Sequence, residues 1–376
     1  MDFSFTDEQS MLRDTVAAYL ADHYTIEQRR AATAEAGWRP QVWRAFAEEL
    51  GILGAAFPED LGGLGGGAVE NLVIMEAFGK ALVVEPYLGT VVIGGGFLKH
   101  SDHPRAAELI GRIIAGETVI ALAYAEPQGR YNPAAVTTTA RRDGAGYVLN
   151  GHKAAVAGGP WATHLIVTAR TAGGPRDAEG ISVFLVEKDA AGLTTTDYAV
   201  VDGSRSSEVG LQDVKVGPEA LVGPADHGLP LVEKVLDEAI AATCAEACGV
   251  QRKLVDGTVE YTRQRRQFGQ PISNFQALQH RMADMFVEME QSVSMTLMAT
   301  LKLADDAARP AAVAAAKVRV GKACTFVGQS AIQLHGGMGM TDEMAIGHYF
   351  KRATLIEQAF GDTAYQLTRY ERLAFD

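Results

Sequence analysis

Cysteine is scarce in this chain: Cys244, Cys248 and Cys324 are the three among 376 residues. An odd count gives no disulfide framework, and Cys244 and Cys248 sit four apart on an alanine-rich helix with no histidine at ligand spacing, so the usual zinc patterns are excluded. They read as buried thiols of a protein kept in a reducing cytoplasm. Positive charge is in deficit too, with 34 Lys and Arg against 46 Asp and Glu, a net charge of −12. That argues against a nucleic-acid partner, which needs a basic face. No apolar run reaches membrane-spanning length. The opening MDFSFTDEQSML carries early acidic residues and no apolar core, so it has the form of neither a signal nor a transit peptide. Internal repeats and low-complexity tracts are absent apart from alanine-rich helix. What is present, 47% hydrophobic and 21% charged residues, is ordinary for a folded enzyme of two or three domains.

The hydrophobic period changes twice. Thr6-Asp7-Glu8-Gln9 is a capping start, after which Leu12, Val16, Tyr19 and Leu20 recur at helical spacing. Trp43, Phe46, Leu50, Ile52 and Leu53 form the next amphipathic face. The chain then breaks at FPEDLGGLGGG, residues 57 to 67, which lacks Gly-Lys-Ser/Thr and a preceding strand and so is no phosphate loop. It is either a turn leading into a helix over Val69–Leu82 or a surface loop. From about Ile120 the pattern alternates: YVLNG, HLIVTAR, ISVFLVEKD and SEVGLQDVKV are β-branched runs between turn residues. After Val222-Gly223-Pro224 helix returns from Leu229 to the end. This order predicts an α+β multidomain protein: an N-terminal helical domain over 1–116, a middle antiparallel β domain over 117–227 and a C-terminal helical domain over 228–376.

Two stretches of the C-terminal part suggest chemistry. Tyr261–Asp284, YTRQRRQFGQPISNFQALQHRMAD, opens with Arg263, Arg265 and Arg266, breaks at Phe268-Gly269 and Pro271, and re-enters a helix at Phe275. A flat cation fork beside an aromatic suits a diphosphate-bearing ligand, and a solvated basic helix end is the alternative. AIQLHGGMGM, Ala331–Met340, ends a long apolar helix on a double glycine. Gly336 and Gly337 can stop the helix in the left-handed conformation and let another molecule approach the backbone; a plain helix stop is the alternative.

Together, R-x-x-F-G-x-P-I-x-x-F-Q-x-x-Q followed downstream by Q-x-x-G-G-x-G resembles the acyl-CoA dehydrogenase family, and the helix–sheet–helix order extends the resemblance over essentially the whole chain. The resemblance implies a C-terminal four-helix bundle and an FAD cofactor whose isoalloxazine ring is held by the β domain. It implies further that Arg265, Phe268, Gln333, Gly336 and Gly337 bind the adenosine diphosphate half of FAD across a subunit interface. Residues 57 to 67 resemble the family's Pro-Glu-x-x-Gly-Gly-x-Gly turn, which leads into a helix near the acyl pocket.

Elsewhere the family pattern fails. Thr-Glu-Pro-x-x-Gly-Ser-Asp reads here as Ala125-Glu126-Pro127-Gln128-Gly129-Arg130-Tyr131-Asn132, and Trp-x-Thr, which lies beneath the flavin, reads Ala155-Val156-Ala157. Losing these together removes most side-chain hydrogen bonds expected at a buried polar ring. The catalytic base is missing as well, since Tyr-Glu-Gly-Thr aligns with Ala359-Phe360-Gly361-Asp362, and Phe360 cannot take a proton. A minority of the family place the glutamate on the first C-terminal helix, at what is here Ala239. Its neighbour Glu238 is about 100° away around the helix, and Asp362 lies two residues beyond Phe360. These two carboxylates are the candidate bases, against a solvated glutamate and a helix cap.

An intact half-site for a neighbour's FAD beside an eroded site for the chain's own resembles one subunit type of bacterial α2β2 acyl-CoA dehydrogenases, whose other chain bears the glutamate. EPYLGTVVIGGG, FVGQSAIQLHGGMGM and GHYFKRATLIEQAFGD particularly resemble the small subunit of pimeloyl-CoA dehydrogenase. The resemblance implies α,β-dehydrogenation of a dicarboxylic, cyclic or otherwise bulky acyl-CoA, with electrons passed to an electron-transfer flavoprotein. The other reading is a non-catalytic subunit, in a homo- or hetero-tetramer, that completes a partner's FAD site.

Overall fold

The structure is a computed structural model that describes residues 5–34 and 37–375. Met1–Ser4 of the opening segment therefore lie outside the described residues. The chain divides into two compact units, one formed by Met1–Ala31, Ala68–Val83 and Ile240–Asp376, the other by Ala32–Gly67 and Val84–Ala239.

The first unit is helical. It holds α1 (Asp7–His23), most of α2 (Ile26–Ala34), α4 (Ala68–Ala81), the larger part of α7 (Leu229–Gln264), α8 (Gln276–Lys302), α9 (Arg309–His335), α10 (Ala345–Gln358) and α11 (Thr363–Phe375). The expected start of α1 is a reciprocal cap, in which the Gln9 amide N–H donates to Thr6 Oγ1 at 3.2 Å and the Thr6 N–H to Gln9 Oε1 at 3.1 Å. Its Val16 and Leu20 are buried. The core repeats at helical spacing along α7 through Ile240, Cys244, Ala247, Val250 and Leu254, against Met285 and Met289 of α8 and Val313, Ala316, Val320, Cys324 and Val327 of α9. All three cysteines are free and buried. Burial pushes the Cys244 thiol up to about 12 and Cys324 to about 11. Where α4 meets α7 the backbones touch: a Cβ on Gly79 would stand 2.0 Å from the Glu246 carbonyl oxygen, and one on Gly249 would stand 2.1 Å from that of Glu76.

The second unit is built on a seven-stranded sheet. Its strands are β1 (Ile120–Ala123), β2 (Thr139–Asp143), β3 (Gly146–Ala157), β4 (His164–Arg170), β5 (Ile181–Glu187), β6 (Leu193–Ala199) and β7 (Arg205–Val216). The order is β1-β4-β2-β3-β7-β6, with β5 on β4. The sheet is mainly antiparallel, as the alternating runs predict, but β1 lies parallel to β4 and β2 meets β4 in parallel at one residue pair. β1 enters from a helical segment and pairs with a strand three places later in sequence, so hairpin logic does not set its direction. Packed in this unit are α3 (Pro40–Glu48), α5 (Gly95–Lys99), which continues a π-helical turn over Leu88–Gly94, and α6 (Ala106–Ile114). The glycine run folds on itself: Leu64 N donates to Gly54 O and Gly65 N to Phe57 O, and a Cβ on Gly63 would stand 2.1 Å from the Phe57 carbonyl oxygen. Trp38 stacks on Trp161 at 5.6 Å and tilts against Trp43 at 6.4 Å, which gathers the chain's three tryptophans in this unit.

Candidate functional site

Helix does not run unbroken from Leu229 to the end. After α7 a two-residue hairpin pairs β8 (Arg266–Gln267) with β9 (Gln270–Pro271). Its tip residues Phe268 and Gly269 have φ of +54° and +78°. Positive φ at both tip residues suits the twist of a tight hairpin, but for a bulky residue it is strained, and such strain concentrates at functional positions. Phe268 is 90% exposed, touching Phe275 edge-on at 6.0 Å. Arg265 is exposed at the hairpin base, where its carbonyl accepts from Ile272 N at 2.9 Å, and its guanidinium has no hydrogen bond or ion pair among the described residues.

The second stretch ends α9 as expected, with one correction. Only Gly336 has a positive φ, +63°, and its ψ of −145° takes it out of the left-handed helical region. Gly337 lies within a short 3-10 turn over Gly336–Met340. A Cβ on either glycine would meet nothing within 4 Å, so the chain's own packing does not demand the bare backbone at Gly337. Gln333 is exposed one turn earlier. The two stretches meet at their bases, where the Tyr261 ring stacks on His335 at 4.2 Å and 24° and its hydroxyl donates to the His335 carbonyl at 3.3 Å. Both residues line an open cleft of about 530 Å³ with Asp256, Glu260, Gln264 and Tyr349.

The candidate bases are placed differently. Ala239 is buried, and the Glu238 side chain, 13% exposed, lies with Oε1 2.6 Å from His100 Nε2 and Oε2 3.1 Å from Lys99 Nζ. Burial by itself would raise the Glu238 carboxyl, but the hydrogen bond from His100 and the charge of Lys99 outweigh it and hold the group below its ordinary value. Asp362 accepts the Tyr365 N–H on Oδ1 at 2.8 Å, a cap on the first turn of α11. Phe360 is half-buried against the helical core with φ +55°. Its turn is held by Lys317, whose ammonium donates to the Glu357 carbonyl at 2.8 Å and the Gly361 carbonyl at 3.0 Å, and by Gln366, which donates to Phe360 O at 2.7 Å. Lys317 was legible in principle, since it falls on the apolar stripe of Val313, Val320 and Cys324.

In the sheet unit, Glu126 is engaged with Lys153 rather than open to a ligand. Their side chains are 1% and 0% exposed and 2.7 Å apart. Burial would raise Glu126, yet Lys153 and the donors of Thr137 and Thr138 hold it at about 2, while burial lowers Lys153 to about 8. Ala155 and Ala157 are exposed; Ala155 has φ +52° in an irregularity of the β3–β7 ladder, and its N–H donates to Glu208 at 3.2 Å. Among the described residues no group of three or more His, Cys, Asp and Glu could hold a metal ion.

Three family profiles match in succession: the acyl-CoA dehydrogenase N-terminal domain over residues 6–117, the middle domain over 121–214 and the C-terminal domain over 226–373. The probable acyl-CoA dehydrogenase YngJ of Bacillus subtilis is 30% identical over 373 residues, covering 97% of each chain. The chain belongs to the acyl-CoA dehydrogenase family. Among solved structures of the fold, the ChsE4-ChsE5 complex from Mycobacterium tuberculosis superposes with a TM-score of 0.90 at 29% identity over 100% of both chains. The Tcur3481-Tcur3483 steroid ACAD does so at 0.88 and 29%, covering 98% of this chain and 97% of that one.

FAD is the cofactor that goes with acyl-CoA dehydrogenase membership, and the C-terminal residues fit its nucleotide half. A free guanidinium offers the planar fork that a diphosphate accepts. An exposed aromatic and bare glycine backbone stand with it in the same unit. No described helix is long and apolar enough to cross a membrane.

Proposed function

We propose that this chain is one subunit type of a heteromeric, FAD-dependent acyl-CoA dehydrogenase, and that its C-terminal helices complete the cofactor site of a partner chain bearing the catalytic glutamate. The observation that carries the reading is a contrast within the C-terminal helices. Arg265, Phe268, Gln333, Gly336 and Gly337 face solvent, while Phe360 stands at the family's base position and Asp362 beside it is taken up as a cap.

When bound, FAD would supply the acceptor for the hydride lost from the β-carbon of the acyl thioester. Removing the α-proton requires a carboxylate free to accept it. Glu238 is tied to His100 and Lys99, which favours a partner as the source of the base. Arg265 then serves the diphosphate, Phe268 supplies an apolar face for the nucleotide, and the bare glycines with Gln333 admit the remainder. The ChsE4-ChsE5 complex supports an assembly of two chain types, for which we propose the α2β2 form, and the steroid ACAD supports a bulky, cyclic acyl group over a plain fatty one, a dicarboxylic acyl group being the other bulky class proposed. Within this reading residues 1–116, 117–227 and 228–376 are the three domains, electrons leave to an electron-transfer flavoprotein, and the assembly works in the cytoplasm.

Arg265→Ala is expected to lower the flavin-to-protein ratio of the assembly after gel filtration, because a charge-assisted contact of about 1.5 to 3 kcal/mol corresponds to roughly 10- to 150-fold in affinity. Purification of the tagged chain from its own host should bring down a second dehydrogenase chain, identified by mass spectrometry. A homomeric preparation that is yellow and bleaches with an acyl-CoA would overturn the partnered reading.

A further inference from the structure

The two stretches that form the nucleotide half-site lie on different helices, and something must set the distance between them. Arg265 is one turn beyond Tyr261, and its N–H donates to the Tyr261 carbonyl at 2.8 Å. On the other side His335 immediately precedes Gly336. The residue is 5% exposed and its ring is fixed by Nδ1, which bonds the Ala331 carbonyl at 2.8 Å. The Tyr261 ring lies flat on that imidazole, and its hydroxyl donates to the His335 main chain. A short path of direct contacts therefore runs from the Arg265 backbone through Tyr261 and His335 to the peptide of Gly336.

We propose that the Tyr261–His335 stack is a positioning element that sets the spacing between the Arg265–Phe268 hairpin and the Gln333–Gly337 turn, and so the fit of the adenosine diphosphate group. The inference rests on the reading of these stretches as a cofactor half-site. Neither ring is asked to touch the cofactor. A planar ring pair suits this task because it fixes both distance and tilt, which single aliphatic contacts do not. Burial lowers the proton affinity of His335, so near neutral pH the face that Tyr261 covers is an uncharged imidazole. A site built from two helices loses affinity when its supporting contacts loosen, even with every contacting group retained.

The test uses the assembly purified through a tag on this chain from its own host, stripped of flavin and titrated with FAD, binding being read from quenching of flavin fluorescence. Tyr261→Ala is expected to raise the dissociation constant about tenfold, whereas Tyr261→Phe, which keeps the ring, stays within about twofold of the parent. Because Tyr261 acts through the placement of Arg265, the double variant Tyr261→Ala/Arg265→Ala should bind little worse than Arg265→Ala alone. A role in general stability would instead give multiplying losses. Should Tyr261→Ala fail to fold, His335→Asn serves in its place, since the amide keeps a donor for the Ala331 carbonyl and removes the ring face. If Arg265→Ala weakens FAD binding but Tyr261→Ala and His335→Asn do not, the positioning role is overturned while the half-site stands. If Arg265→Ala has no effect, or the parent assembly binds no FAD, the half-site reading falls and this inference with it.

Discussion

Replacing Glu126 by glutamine tests how the sheet unit is held together. The carboxylate is acceptor-only and every partner around it is a donor: Lys153 Nζ at 2.7 Å, Thr138 N at 3.0 Å, Thr137 N at 2.8 Å, and the Thr137 hydroxyl and Gln128 Nε2 at 2.5 Å each. The amide of a glutamine would turn an NH2 toward at least one of these donors and would leave the ammonium, 0% exposed, without its counter-charge. The Tyr124 carbonyl at 3.3 Å and the Thr168 hydroxyl at 3.1 Å remain to Lys153 but carry no charge. Breaking one side of a buried ion pair costs about 3 to 5 kcal/mol. With a urea slope of about 2 kcal/mol per M, the unfolding midpoint should fall by about 1.5 to 2.5 M. Tryptophan fluorescence is the suitable probe, because Trp38, Trp43 and Trp161 all lie in the unit concerned. Glu126→Gln/Lys153→Met should recover part of the loss, because it removes the buried charge that the single variant leaves unpaired. A single variant whose midpoint moves by less than about 0.3 M would refute the reasoning, since it would mean that the ammonium reaches water or is neutral in the folded chain.

Asp362→Ala should lower the thermal stability of the helical unit by about 0.5 to 2 kcal/mol, the usual worth of a cap, without changing the turnover of the reconstituted complex; a collapse of turnover would make the carboxylate catalytic. Glu238→Gln should likewise leave turnover of the complex within a few-fold, whereas a loss of about 10² to 10⁴, measured with a ferrocenium-type acceptor, would identify it as the base. His103, His164 and His335 are all held below the ordinary histidine value by burial. The unfolded chain therefore binds protons more readily than the folded one, and the stability tied to these groups is complete above their unfolded value of 6.5 and lost as pH falls below it. Urea midpoints at pH 7.5 and 5.5 should differ in that direction, and equal midpoints would exclude it.

What the sequence revealed and what it hid divide along the range of the interactions. Thr6 and Gln9 are three residues apart and could be read as a box; the strand runs alternate locally; the break at Phe268-Gly269 is local turn chemistry. β6, LTTTDYA, escaped notice because its residues are exposed or half-buried and lack the apolar alternation that marked its neighbours. The parallel run of β1 on β4 depends on where the chain enters the sheet. The fate of Glu238 is decided by His100, 138 residues earlier, and that of Lys153 by Glu126, 27 residues away. No periodicity reports such pairings. The residues proposed to face FAD were legible because a cofactor imposes a fixed spacing on the chain, whereas nothing of the kind advertises Tyr261 and His335.

The crossing of α4 with α7 admits relative motion in few directions. In many helix pairs side chains interdigitate loosely enough for small shear, displacements of about 1 to 2 Å that proteins use in switching. Here Gly79 faces the Glu246 carbonyl and Gly249 faces the Glu76 carbonyl. Sliding by one residue, about 1.5 Å, would drive a side chain into main chain on both sides at once. Shear is thus blocked, and α4 can leave α7 only by lifting away from it. Amide hydrogens of α4 and α7 on the two sides of the crossing should then exchange in a single cooperative opening, with no faster, partial route available to either helix.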